Sequence, residues 1–518
     1  IVPALFFGAA FPAAAALYNQ KRRAVSAGVG MVYFWNTLGA IFGSILTGFA
    51  LIPSIGVWKT LVLGVLILLA AGVALLILGG GKPFLERLAG AALAAVIVLA
   101  AVNAGRWDNA VMTSGPYIYM EYYFNKSDNL AQFKKTLSRE KIIYYGDGVS
   151  CTVSVLDVSG KLYLRVNGKT DASNAGDRHT QVGIAAIPLL VHGSAKDVAI
   201  VGMGSGMTSG AALQFPSVRS LDLVEIEPKV VEGAKYFSKY NFDVLNNPKL
   251  HLHLEDGRNF MLGHRKKYDV IISEPSNHWI AGIASLFTKD YYELVASRLS
   301  KDGVFSQWIQ LYSTQPQSML MLLRTLQSVF PYVHLFLAGN DMIVIGSKTD
   351  IRIDAMEIAR RFDEAGLREK FGSIEVIYDR LGITLGHYAA GPGEVMKLSA
   401  GSELNTDDRP VIEYTAPFEL YTTTDIPTKI ILDTYPVDVM KRLHADASAL
   451  TSKDYYGICS DLGSFTVGAS RFEEWLKRAL DSGPENRDAL IMAAGYYKSQ
   501  NKALLADEYY RRAMEGGS

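Results

Sequence analysis

Four stretches in the middle of the chain carry residue types suited to holding a charged nucleoside. Gly202-Met203-Gly204-Ser205-Gly206 follows an apolar run, Asp197–Gly202, and precedes a helical pattern. Glycines at that place allow a tight turn and close backbone approach, while the helix behind them offers free N–H groups. Glu225 closes the next apolar run about 20 residues later, where an acid accepts from both ribose hydroxyls. Asp256-Gly257 closes the third, where an adenine amino group would lie. The fourth runs into Ser273-Glu274-Pro275-Ser276-Asn277-His278-Trp279 and sets an acid beside the reactive end of a bound nucleoside. No Lys-Ser or Lys-Thr pair follows the loop, which argues against a triphosphate P-loop. On these residues alone an NAD site stays open.

Such positions must share one sheet edge, and the chain has the elements for it. Strands are expected at Asp197–Gly202, Leu221–Glu227, Leu250–Glu255, Tyr268–Ser273 and Gly303–Gln310, with a helix at Lys289–Leu299 before the last. Pro228 opens a helix at its first position. Val333–Leu337 and Met342–Ile345 predict a closing antiparallel pair. Strand–helix alternation of this kind implies a mostly parallel, doubly wound sheet. Ahead of it, Ile142–Tyr145, Cys151–Asp157 and Lys161–Val166 read as short strands, the last two joined through Ser159-Gly160. Residues 351–400 hold one amphipathic helix, Ala355–Ala365, then less regular sequence. Near the C-terminus Arg471–Leu480, Arg487–Ser499 and Ala503–Met514 read as paired helices, and Glu508–Ala513 resembles the second helix of a tetratricopeptide repeat (TPR).

Charge separates this region from what precedes it. Residues 1–105 contain seven charged side chains, whereas the other 413 residues hold 95, so a purely soluble chain is excluded. Four stretches approach the roughly 20 apolar residues that span a bilayer: Ile1–Tyr18, Ala24–Ile52, Thr60–Leu78 and Leu88–Gly105. Gly39 and Gly43 form a GxxxG pair suited to close helix packing. Transport pathways usually place ionisable groups at mid-membrane, and no Asp or Glu lies inside a span, so the region reads as an anchor. The first residue is Ile rather than Met, and a fragment with further spans upstream is expected. Lys21, Arg22, Arg23, Lys82 and Arg87 outnumber Lys59 and Arg106, which by the positive-inside rule puts the soluble part outside the cytoplasm. The expected architecture is a multi-pass α-helical membrane segment in the plasma (inner) membrane (1–105), a linker (106–140) and a small β domain (141–196). An α/β Rossmann-like, methyltransferase-type domain (197–420) and a TPR-like α-helical region (421–518) follow.

Net charge is zero, which argues against nucleic acid as a partner. Cys151 and Cys459 are far apart and outside any CxxC, so neither a disulfide scaffold nor a thiolate zinc site is expected. His251 and His253 share a strand face but have no third ligand nearby in sequence, and no metal is expected. His179 and His278 flank the cleft as candidate proton shuttles. Trp279, Trp308 and Tyr312 are candidate walls of an acceptor pocket, and Asp407 and Asp408 are expected to cap or close the domain.

From residues 140 to 345, and again at Asn405–Pro410 and Asn36–Ala40, the sequence resembles the spermidine/spermine synthase (polyamine aminopropyltransferase) family, in its branch fused to membrane helices. The resemblance implies a small β domain ahead of a Rossmann-like sheet, decarboxylated S-adenosylmethionine as donor and a small diamine as acceptor. S-adenosylmethionine itself or methylthioadenosine would fit the same site. It assigns the donor's tail to Gly202, Gly204, Ser205 and Gly206, the ribose to Glu225, and the adenine to Asp256 with Gly257. Soluble members carry Asp-Ser-Ser-Asp-Pro after the fourth strand; here Glu274 matches the first Asp and Asn277 the second. Ser205 stands where the glycine loop usually has an Asp, and Asp177-Arg178-His179-Thr180-Gln181 replaces a Tyr-His-Glu segment. Glu274 is then the catalytic acid, and Asn277, Asp177 and Gln181 face the acceptor.

Aminopropyl transfer needs a neutral amine, and an amine of pKa near 10 is almost wholly protonated at pH 7. A carboxylate must take that proton as the sulfonium departs, which Glu274 can do. Asn277 brings no charge to a distant ammonium. Two functions follow: a membrane-anchored transferase, or a catalytically altered subunit that assembles with protein partners through its membrane helices and TPR-like end.

Overall fold

In a computed structural model of the chain, the described residues are 2–20, 25–78, 84–103, 107–125, 129–421, 427, 430–431, 437–463 and 469–515. They form two compact units, 1–113 with 145–153, and 114–144 with 154–518.

The first unit is helical. Val2–Asn19, Val25–Ile45, Val57–Leu78 and Phe84–Asn103 are α-helices, and a π-turn, Leu46–Leu51, continues the second into Ile52–Ile55. Among the described residues, two helices are long and apolar enough to cross a membrane, Val25–Ile55 and Val57–Leu75. The expectation of four is thereby corrected. In the fourth stretch the apolar run among the described residues is the shorter Leu88–Ala100. The first is helical, but part of it lies outside the described side chains. Of the charge-rule residues, Lys21, Arg22, Arg23, Lys82 and Arg106 lie outside the described residues, so the expected orientation has no structural counterpart. A Cβ placed on Gly39, Gly43 or Gly48 would meet nothing within 4 Å, so the small-residue face packs against no described helix. Gly56 separates these two helices with φ 85°, and the next N–H, of Val57, donates to Asp147 at 2.9 Å.

The second unit contains the eight-stranded sheet and most of the four-stranded one. Strands β1 (Lys141–Asp147), β2 (Thr152–Val158), β3 (Lys161–Val166) and β4 (Lys169–Ser173) form a meander in that order. The fourth strand was not expected, because Lys169 and Asp171 disguise it as a polar turn. Ser159 and Gly160 both take positive φ at the expected hairpin.

The eight-stranded sheet has the order β12-β10-β11-β9-β8-β5-β6-β7. Its strands are β5 (Asp197–Val201), β6 (Ser220–Glu225), β7 (Leu250–Leu254), β8 (Tyr268–Ser273), β9 (Leu299–Gln310), β10 (Tyr332–Ala338), β11 (Asp341–Ser347) and β12 (Tyr388–Ala390). β5 to β9 run parallel to their neighbours, while β9–β11, β11–β10 and β10–β12 are antiparallel. The central strands are apolar throughout because helices cover both faces of a parallel sheet. Helix Arg178–His192, buried from Thr180 to Val191, packs on β8, β9 and β11. It therefore belongs with the main sheet, although it was expected in the small β domain.

Residues 106–140 were expected to be a linker and instead fold where described. Pro116–Phe124 and Leu130–Leu137 are helices, Tyr123 is buried, and Tyr119 Oη accepts from Thr170 N at 2.9 Å. The C-terminal region holds the helices Ser452–Gly463, Ala469–Ser482, Arg487–Ser499 and Ala503–Glu515, the last three at the positions expected for helices.

Phe305, fully buried in the middle of β9, stacks on Phe330 at 5.3 Å and tilts against Tyr292 at 5.9 Å. Phe305→Ala is expected to cost about 3–5 kcal/mol of stability, because the surrounding helices cannot close the cavity. A denaturant titration of the detergent-solubilised chain measures it.

Candidate active site

The C-terminal ends of β5, β6, β7 and β8 meet at one edge, where open α/β sheets bind ligands. Gly202 leaves β5 with φ 95°, and a Cβ there would sit 2.3 Å from the Glu274 carbonyl oxygen. Only glycine permits that approach. The neighbouring backbone is bonded across the same gap, Glu274 N to Val201 O at 2.8 Å and Gly202 N to Val224 O at 2.9 Å. Gly257 is equally constrained, since a Cβ would fall 2.4 Å from Val201 Cγ1.

The glycine loop is fixed from several sides. Glu225 accepts from Met203 N at 3.0 Å through one oxygen and from Glu227 N at 2.9 Å through the other. Ser205 donates its hydroxyl to Gln181 Oε1 at 2.5 Å, and Asn241 Nδ2 donates to Ser205 O at 2.8 Å. Gln181 Nε2 donates to Ser173 O at 2.9 Å and to Asp177 Oδ2 at 3.1 Å. Asp177 also accepts from the Ser173 N–H and hydroxyl. Thus Gln181 and Asp177, expected to face an acceptor, also brace the loop that carries Ser205. Asp256 caps helix Gly257–Gly263 by accepting from Asn259 N at 2.8 Å.

Glu274 sits among other acids. Burial pushes its pKa up to about 8; the Thr208 hydroxyl opposes this, and the Asp177 and Asp341 carboxyls add to it. Asp341, at the β9 end of β11, is raised to about 7 by burial, against the lowering effect of Thr180 and Trp308. It accepts from the Thr180 hydroxyl at 3.1 Å, while its buried Oδ1 has no partner. Glu225 reaches about 7, again by burial and against the two backbone N–H groups that lower it.

The rest of the fourth-strand motif turns toward β4. Ser276 donates to Asp171 at 2.8 Å, and Asp171 pairs with Lys169 at 2.6 Å. Burial lowers the Lys169 pKa, but the Asp171 carboxylate raises it overall, so the ammonium stays charged. It lies 5.9 Å from the centre of the Trp279 ring. Asn277, fully buried, donates to Tyr312 Oη at 2.9 Å, and its Oδ1 has no partner. His278 bonds Gln310 at 2.7 Å, and burial lowers it to about 4, as it does His179. Both rings are neutral at pH 7. Asp407 pairs with Arg258 and accepts from Thr288 at 2.8 Å, a closing contact rather than a substrate one.

Sequence reasoning missed Lys169, Asp171 and Asp341. A signal existed for the first two. Charges two residues apart share one face of a strand, and here that face meets Ser276 and Trp279.

Residues 179–339 match the family described as the spermine/spermidine synthase domain. The polyamine aminopropyltransferase of Bacillus subtilis is 30% identical over 187 residues, covering 35% of this chain and 67% of the relative. Polyamine aminopropyltransferase 1 of Bacillus cereus is 28% identical over 202 residues, covering 38% and 69%. Among solved structures, the spermidine synthase of Thermotoga maritima overlays with a TM-score of 0.41 at 22% identity, covering 50% of this chain and 87% of that one.

The buried acids define a pH dependence. A carboxyl with a raised folded-state pKa binds its proton more tightly folded than unfolded, so its stabilisation is lost as pH rises. The buried histidines His179, His278 and His334, lowered by burial to about 4, act in the opposite sense but only below their ordinary value of 6.5. Between pH 6.5 and 8 the carboxyls therefore dominate, and the melting temperature should fall. Glu274→Gln should flatten that slope, and a melting temperature rising over this interval would contradict the assignment.

Proposed function

Since the chain belongs to the spermine/spermidine synthase family, we propose that it is a membrane-anchored aminopropyltransferase acting from decarboxylated S-adenosylmethionine on a small amine. The observation that carries this reading is Glu274, an acid held against the glycine loop by the Gly202 contact, with the carboxyls of Asp177 and Asp341 beside it.

In this reading the glycine loop at residues 202–206 takes the donor's tail, Glu225 the ribose hydroxyls, and Asp256 with Gly257 the adenine. The acceptor nitrogen attacks the methylene carbon next to the sulfonium. A C–N bond forms as the C–S bond breaks, and its electron pair neutralises sulfur. The ammonium proton leaves to Glu274. A pKa of about 8 in the empty site suits that task, because two cationic substrates bring the carboxyl into its ionised form before it must accept a proton. Asp177 and Asp341 stand beside Glu274 and offer the amine its remaining contacts. The apolar helices Val25–Ile55 and Val57–Leu75 serve as the anchor.

A second reading, a catalytically altered subunit, is favoured by two features. Asn277 replaces an acid, and the Lys169 ammonium stands close to the same loop, which disfavours a dication there. The TPR-like C-terminal helices would then serve assembly. Position also separates the readings, because the donor is made in the cytoplasm. A single cysteine at position 126, in a chain lacking Cys151 and Cys459, should label with an impermeant reagent only after lysis if the transferase reading holds.

Two substitutions test the chemistry. Glu225→Gln should weaken methylthioadenosine binding by about 1.5–3 kcal/mol in calorimetry, the usual worth of hydrogen bonds to a charged acceptor. Glu274→Gln should abolish transfer while leaving that affinity within a few-fold. Normal turnover by Glu274→Gln would falsify the proton-acceptor assignment, and absence of nucleoside binding to the wild type would favour the altered-subunit reading.

A further inference from the structure

We propose that His253, Glu255 and His264 form a binding site for a divalent ion of the zinc class, at the edge of the main sheet. His253 and Glu255 lie two residues apart and so share one face at the end of edge strand β7. Helix Gly257–Gly263 follows, and His264 caps its C-terminal end. One donor atom from each of the three residues lies within 4.8 Å of the others.

The two rings are already spaced for a shared ion. Their centroids are 5.6 Å apart with planes at 66°. Two imidazoles on one tetrahedral zinc, each bound at the usual Zn–N length, would have centroids roughly 5 Å apart. Phe260, fully buried, holds both rings, stacking on His264 at 4.2 Å and lying 4.7 Å from His253. The three donors must draw in from within 4.8 Å to the about 3.4 Å of a tetrahedral set, a movement of side-chain size in which His264 is exposed.

The outer contacts also match a metal centre. Metal-bound histidines commonly give their second nitrogen to a carboxylate or a backbone carbonyl, which fixes the tautomer and the ring. Here His253 Nε2 bonds Asp222 Oδ1 at 2.8 Å, and His264 Nδ1 lies 3.1 Å from the Phe260 carbonyl. Lys266 holds the other Asp222 oxygen at 2.8 Å. Nδ1 of His253 and Nε2 of His264 are left to coordinate. Two imidazoles and a carboxylate, without thiolate, select zinc, cobalt or nickel over magnesium or calcium, and three protein ligands leave a fourth position for water. His251, which shares the strand face and formed the obvious pair in sequence, is outside the cluster. The ion would fasten β7 to the far end of the helix that Asp256 caps, and so stiffen the turn next to the sheet edge.

The test uses the full chain in detergent, untagged and stripped with a chelator, titrated with zinc chloride in a calorimeter. One equivalent is expected to bind and to raise the melting temperature. His264→Ala, at an exposed position that leaves the fold intact, and His253→Ala should lose that equivalent, while His251→Ala should keep it. Asp222→Asn should bind about tenfold or more weakly, as outer-contact losses do at metal sites. X-ray absorption on the loaded wild type should show imidazole ligands. A wild type that takes up no zinc, or a His264→Ala chain that binds like the wild type, overturns the proposal.

Discussion

The site depends on the contact between Gly202 and the backbone of Glu274. There is no room for a side chain between the ends of β5 and β8, since a Cβ on Gly202 would stand 2.3 Å from a carbonyl oxygen. That closeness puts the glycine loop and the Glu274 carboxyl on either side of one backbone hydrogen bond, Glu274 N to Val201 O. Every other element at this edge is arranged around it. Glu225 ties the loop to β6, Asn241 and Gln181 hold Ser205 from opposite directions, and Gly257 lets β7 return close to Val201.

The second organising feature is an excess of enclosed negative charge. Burial raises the pKa of Glu274, Asp341 and Asp177; Asp177 further raises Asp341, both further raise Glu274, and the Asp341 Oδ1 is unpartnered. A buried acid without a cation is costly to ionise. A folded chain that keeps three of them together is poised to take up a cation. An amine and a sulfonium are cations of that kind, so the same groups that weaken the empty chain as pH rises would favour the loaded one.

The parallel strands were legible because each is a short apolar run punctuated by a glycine, an acid or a proline at its end. Glu225 and Glu274 stood out for the same reason. What escaped was decided by contacts distant in sequence. β4 was hidden because Lys169 and Asp171 read as a turn until Ser276, more than a hundred residues later, accounts for them. Residues 106–140 looked like a linker because a contact such as that of Tyr119 with Thr170 is made only once β4 is folded. In the N-terminal part, composition marked helices correctly, but among the described residues only two are long and apolar enough to span. His253 was paired with His251 by strand periodicity, whereas the helix that follows brings His264 instead.

Reading acceptor chemistry from the fourth-strand motif alone also misjudges the charge. Asn277 in place of an acid suggests a site one carboxylate short. In the folded chain Asn277 is turned to Tyr312, and the additional carboxyl near Glu274 comes from β11, through Asp341. The Lys169–Asp171 pair, by contrast, contributes no net charge and occupies the side where Trp279 and Ser276 lie. The carboxyls that act on Glu274 are thus those of Asp177 and Asp341, and Asn277 adds none. In the proposed transfer, the carboxyl offered to an acceptor's second cation is therefore that of Asp341 on β11, since Asn277 in the motif supplies none.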